Sequence, residues 1–129
     1  MTHLYKRWDA PRCLFGRPVF VIFFANFSPP SLSALDRLQK QITELPKGSV
    51  RIVGVCLDAR REVAADLLKA RNISWPVGWD GKSWQGTLVR DLGINALPTV
   101  WLLDSRGRLR WLNAVDDAAA KARHLLQER

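Results

Sequence analysis

Sulfur and imidazole are scarce in this chain: 129 residues hold two cysteines, two histidines and one methionine. Cys13 and Cys56 are far apart and make no Cys-x-x-Cys unit, so the sequence carries no self-contained dithiol pair. His3 and His124 stand at opposite ends, neither at ligand spacing from a second cysteine, histidine or acid, and the sequence predicts no metal site. No glycine-rich phosphate loop and no Gly-x-Ser-x-Gly turn is present, which removes the usual signals of nucleotide binding and of a serine nucleophile. No apolar run approaches the roughly 20 residues needed to cross a bilayer. Repeats and low-complexity tracts are missing too.

What is present suits one compact unit. Hydrophobic residues make up 47% of the chain, enough to build a core and far from the composition of a disordered segment. The reading is an N-terminal extension over 1–15 and a single domain over 16–129. The opening Met1-Thr2-His3-Leu4-Tyr5-Lys6-Arg7-Trp8 is not followed by the apolar stretch of a secretory signal. The expectation is therefore a cytoplasmic protein if this is the full length, and an extracytoplasmic one if it is a domain of a longer exported or anchored chain.

Charge is one-sided, with 20 Lys and Arg against 12 Asp and Glu, a net of +8. Such a surplus attracts nucleic acid, anionic lipid or acidic partners when it is concentrated. Here it is dispersed. Arg60-Arg61 and the alternating Arg106, Arg108 and Arg110 are the close groupings, and the latter read as one face of a hairpin guarded against edge pairing. Nucleic acid is accordingly disfavoured as a partner.

The apolar run Pro18 to Ala25 has the length and the β-branched and aromatic content of a strand buried on both faces of a sheet. Leu32, Leu35, Leu38 and Ile42 then recur at helical spacing over residues 31–43. Between them lies Phe27-Ser28-Pro29-Pro30-Ser31. Ser28 is a good N-cap and Pro29 suits the first helical position, where a missing amide proton costs nothing, so the segment reads as a strand-to-helix turn. A second strand is predicted over 49–57 and a helix over 60–71. A short extended piece follows over 73–81 with Trp75-Pro76 and Trp79, then a short helix over 84–92. Strands over 99–103 and 109–112 form a hairpin through Ser105-Arg106-Gly107, and a helix over 118–127 closes the chain. The order βαβα then ββα predicts an α/β fold, a mixed central sheet with helices on both faces. In such a sheet the Ser28 turn lies at the carboxyl end of its strand, where ligands are usually bound.

A second motif stands downstream, Ile94-Asn95-Ala96-Leu97-Pro98-Thr99 before an apolar strand that ends in Asp104-Ser105-Arg106-Gly107. With Phe23-Phe24-Ala25-Asn26-Phe27-Ser28-Pro29-Pro30-Ser31 in that order, the chain resembles the thioredoxin superfamily over roughly residues 16 to 127. More narrowly it resembles the TlpA/ResA-like thiol-disulfide oxidoreductases, which read Phe-Trp-Ala-x-Trp-Cys-Pro-Pro-Cys and later Gly-Val-x-x-x-Pro-Thr. The resemblance implies a thioredoxin-like fold, a cis-proline at Pro98 and no cofactor. It also implies a site in which Ser28 and Ser31 hold the places of the attacking and resolving thiols. Phe27, Pro29, Pro30, Ala96, Leu97, Pro98, Trp75 and Trp79 would line a groove for a protein or peptide segment.

Serine in both places decides what the chain as written can do. A hydroxyl stays protonated near neutral pH and forms no disulfide, so no dithiol exchange is possible at this motif. Two readings follow: a redox-inactive binding module, or an oxidoreductase whose cysteines at 28 and 31 have been replaced by serine. Phe27 in place of the family's tryptophan, and Ile22 where thioredoxins proper place a buried carboxylate, favour the first. Cys56, among Val53, Val55 and Leu57, reads as a small core residue, and Cys13 as a thiol near a basic terminus with no assigned role.

Overall fold

The computed structural model describes residues 4–5, 16–79, 81–85, 87–91 and 93–128. Cys13, His3, Asp80 and Leu92 lie outside the described residues. Among these residues six strands form one mixed sheet: β1 Leu4–Tyr5, β2 Val19–Phe24, β3 Arg51–Cys56, β4 Val77–Gly78, β5 Thr99–Leu103 and β6 Leu109–Trp111, in the order β1-β4-β3-β2-β5-β6. Helices α1 Pro29–Ile42, α2 Arg61–Ala70, α3 Thr87–Asp91 and α4 Ala118–Gln127 connect and flank them. β1 to β4, β4 to β3 and β3 to β2 run parallel, whereas β2 to β5 and β5 to β6 are antiparallel.

The sheet is two-faced because its central strands are buried on both sides and their alternate residues enter different cores. Phe20, Ile22 and Phe24 of β2 join Val100 and Leu102 of β5 beneath α1, α2 and α4, with Leu35, Leu38, Leu67 and Leu125 among the helical contributors. Val19, Val21 and Phe23 of β2 face the other way, with Val53 and Val55 of β3, Val89 of α3 and Ile94. The crossovers β2-α1-β3 and β3-α2-β4 step in one direction across the sheet, so right-handed connections place α1 and α2 on the same face. The chain then returns from β4 to β5, and α3 lies on the opposite face.

The structure differs from the sequence reading in its small elements. Of the helix expected over 84–92, the described residues form a 3₁₀ turn at Ser83–Gln85 and the five-residue α3. The extended piece over 73–81 contracts to the two-residue β4, held by Gly54 and Val55 of β3. Part of the segment ahead of residue 16 belongs to the sheet, since Leu4 and Tyr5 pair with Val77 and Gly78. None of these pieces is long enough for a period to show.

At the amino end of β2 the sheet is closed by charge. Leu103 stands opposite Val19, and the next residue, Asp104, accepts the amides of Arg106 and Arg108 at 2.9 and 3.0 Å and the Arg108 guanidinium at 3.2 Å. Burial works to raise the Asp104 carboxyl, but those amides and the arginine charges outweigh it and hold it below its ordinary value. Arg110 reaches the same carboxylate at 3.5 Å and forks onto both oxygens of Glu128. The shallow hollow lined by Asp104, Ser105, Arg106, Arg108, Leu125 and Glu128 is therefore mostly paired charge. Arg108 and Arg110 are engaged within the chain, in keeping with a guarded sheet edge.

Candidate functional site

β2 ends at Phe24, and the turn that follows is tied by backbone and side-chain hydrogen bonds together. The Ser28 amide donates to the Ala25 carbonyl at 3.1 Å, and Ser28, with extended dihedrals, caps α1. Its hydroxyl accepts the Ser31 amide at 3.4 Å, and Pro29 and Pro30 fill the first helical positions, exposed. No acid occupies the first turn of α1, and the positive end of the helix dipole faces residue 28.

Ser31 is buried without exposure, unlike its partner in the motif. Its Oγ accepts the Ala25 amide at 3.1 Å, and its proton is directed at the carbonyls of Ser28, 2.8 Å away, and Ala25, 3.1 Å away. One hydroxyl thus ties the last residue of the strand run to the helix cap. Ser31→Ala is expected to strand the Ala25 amide and cost about 1–3 kcal/mol of stability, measured by urea denaturation. A change below a few tenths of a kcal/mol would show that the hydroxyl is idle.

The second motif arrives at the same end of the sheet. Phe23 of β2 stands opposite Thr99 of β5, so Ala96, Leu97 and Pro98 precede β5 where β2 stops. The Leu97–Pro98 peptide is cis. Leu97 packs half-buried against the core cluster that contains Phe23 and Ala25, Ala96 is exposed, and the Thr99 hydroxyl donates to the Ala96 carbonyl at 2.7 Å. Ser28, Ser31 and Pro98 therefore lie on neighbouring strand ends.

The tryptophans separate into three roles. Trp75 turns inward: its ring meets Phe24 edge-on at 6.2 Å, its indole N–H donates to Gln39 at 3.4 Å, and it lies over Gly54 of β3. Trp79, half-buried, donates its indole N–H to the Asp58 carbonyl at 2.6 Å. Trp84, 37% exposed, meets Phe27, 52% exposed, at a centroid distance of 6.5 Å. Trp84, not among the residues expected to line the groove, is thus an aromatic neighbour of the Ser28 turn.

Asp58 is the other residue that sequence reasoning passed over. It lies just past the strand predicted over 49–57, is 4% exposed, and its Oδ2 accepts the Asn26 amide at 2.8 Å and the Cys56 thiol at 3.2 Å. Burial, the leading cause, pushes the Cys56 thiol far above its ordinary value, and the Asp58 charge adds to the rise, so this thiol is an inert core group. Ile22, in the place of the family's buried carboxylate, is fully enclosed by apolar neighbours. His124 pairs with Glu128 at 3.1 Å and meets Trp111 edge-on, at the opposite end of the sheet from Ser28. Among the described residues no cluster of three His, Cys, Asp or Glu could hold a metal ion, and no helix is long and apolar enough to cross a membrane.

A capped strand-to-helix turn thus stands beside a proline that opens the next antiparallel strand. The model of the thioredoxin-like family covers residues 16–109, and the chain belongs to that family. Solved structures similar in fold include a thiol-disulfide oxidoreductase from Bacteroides fragilis, with a TM-score of 0.71 at 23% identity over 81% of this chain and 77% of that one. The thioredoxin domain of a thiol-disulfide oxidoreductase from Bacteroides vulgatus scores 0.75 at 18% identity, over 91% and 84%. A thioredoxin-like protein from Parabacteroides distasonis scores 0.75 at 12% identity, over 95% and 99%. No curated protein matches the sequence.

Proposed function

We propose that this chain is a redox-inactive thioredoxin-like module that holds an extended protein segment beside the Ser28–Ser31 turn and Pro98, on the scaffold of the TlpA/ResA-like branch. The observation that carries this reading is the bonding of the two serines. Ser28 is spent on capping α1 and Ser31 on joining Ala25 to Ser28, so both hydroxyls serve the turn itself. Neither can exchange with a disulfide. What remains outward is a surface of Phe27, Trp84, Ala96 and the half-buried Leu97 and Pro98, of the kind that accepts an extended segment by shape and backbone pairing. Pro29 and Pro30 form the rim of the turn, and Trp79 stands behind it on Asp58. Trp75 backs the sheet instead, its ring lying over Gly54 and Phe24.

The second reading is an oxidoreductase whose cysteines at 28 and 31 have been replaced. The positive end of α1 at residue 28 favours it, because that field would stabilise a thiolate there. Codons 28 and 31 in the source DNA separate the two: serine codons support the module, cysteine codons the disabled enzyme.

Binding is tested with a displayed library of unstructured peptides selected against the chain. The expected result is peptides whose affinity falls about tenfold or more with Trp84→Ala or Leu97→Asp and is unchanged by Arg106→Ala at the far end. Selected peptides indifferent to Trp84 and Leu97, or no selection at all, would overturn the module reading.

A further inference from the structure

Asp58 contacts both sides of the site, although it lies on neither motif. Its carboxylate receives the backbone amide of Asn26, the residue between the end of the β2 run and Phe27. Its own carbonyl receives the indole of Trp79 from the β4 side at 2.6 Å. The same carboxylate oxygen takes the Cys56 thiol, which fixes the carboxyl group on the end of β3. Two segments that are distant in sequence are thus referred to a single residue, held in the gap between β3 and α2. Gly81 leaves room for this arrangement, since a Cβ there would lie 3.0 Å from the Trp79 ring and 3.4 Å from the Ala59 carbonyl.

We propose that Asp58 is the positioning residue of the site: its carboxylate sets the turn that presents Phe27 and Ser28, while its backbone anchors Trp79 behind that turn. The proposal rests on the reading of the Ser28 turn as the functional surface. A hydrogen bond from an amide to a buried carboxylate is stronger than one to a neutral acceptor, and the short link to Asn26 passes that constraint to the next two residues. Asp58 is too enclosed to touch a ligand, so its influence on binding passes through Asn26 and Trp79.

The test compares Asp58→Ala and Asp58→Asn, each at a temperature where it is folded. Amide hydrogen exchange at Asn26, read by NMR, is expected to accelerate about tenfold or more in Asp58→Ala relative to the β2 amides, and to stay within about threefold in Asp58→Asn, which keeps an oxygen acceptor. If Asp58→Ala does not fold, Asp58→Asn alone suffices: the Asn26 amide proton is expected to move upfield as the charged acceptor becomes neutral, and an unmoved resonance overturns the proposal. The functional arm uses the tightest library peptide selected on the unsubstituted protein. Its affinity is expected to fall about tenfold in Asp58→Ala and to recover to within about threefold in Asp58→Asn. Exchange that responds while affinity does not would make Asp58 a structural residue only and overturn the positioning role. If no peptide is ever selected, the binding reading fails separately, because the Asn26 measurements need no ligand.

Discussion

A chain carrying Phe23→Ala is expected to lose about 3–5 kcal/mol of stability, a large share of the 5–15 kcal/mol that holds a domain of this kind together. Phe23 is fully buried in the middle of the sheet, and its ring meets Trp101 edge-on at 5.2 Å. Truncation removes a large transfer term and leaves a cavity that strands hydrogen-bonded on both sides are poorly able to close. The loss has a direction in space. Phe23 shares its cluster with Ala25 and Leu97, the two residues from which the Ser28 turn and the Pro98 motif depart. Urea denaturation gives the stability, and Phe27→Ala is the companion measurement. Phe27 is half exposed, and its removal is expected to change stability by no more than about 0.5 kcal/mol. Equal costs at 23 and 27 would mean that the turn, and not the core beneath it, supports this end of the sheet.

Gly54→Val is expected to destabilise by about 3 kcal/mol, for the opposite reason. A Cβ at residue 54 would lie 2.6 Å from Cζ3 of Trp75 and 2.9 Å from Cε1 of Phe24, closer than atoms tolerate. Gly54 occupies a central strand, where glycine normally weakens the sheet, and it is there because an aromatic ring needs the space above it. The ring is not free to swing away, being held by Gln39 on α1 and by the edge contact with Phe24. The double variant Gly54→Val, Trp75→Leu is expected to recover part of the loss, and the coupling energy from the four-member cycle measures the collision directly. Strict additivity would show that the strain lies in the strand backbone instead of the ring.

The sheet centre was legible in the sequence because its signals are local. The closing helix and the Thr99–Leu103 strand have the limits expected from sequence. β2 and β3 were legible as apolar runs, which only strands buried on both faces carry. The Ser28 turn followed from capping chemistry at its own residues. What could not be read were contacts that need the fold to exist. Asp58 meets Asn26 across 32 positions of chain, with no motif to announce it. Trp75, Trp79 and Trp84 look alike in sequence, and only the packing sends Trp75 inward, Trp79 onto a carbonyl and Trp84 out to Phe27. β1 and β4, at two residues each, are too short to have a period at all.

The clasp of Asp104, Arg110 and Glu128 gives the molecule an orientation. Because Glu128 is drawn back to the amino end of β2, residue 128 lies at the pole opposite the Ser28 turn. A tether or fusion attached there holds the protein by its charged base and leaves Phe27, Trp84 and Pro98 facing away from the attachment. The chain can therefore be fixed to a surface or carried at the amino side of another domain with its candidate site directed outward.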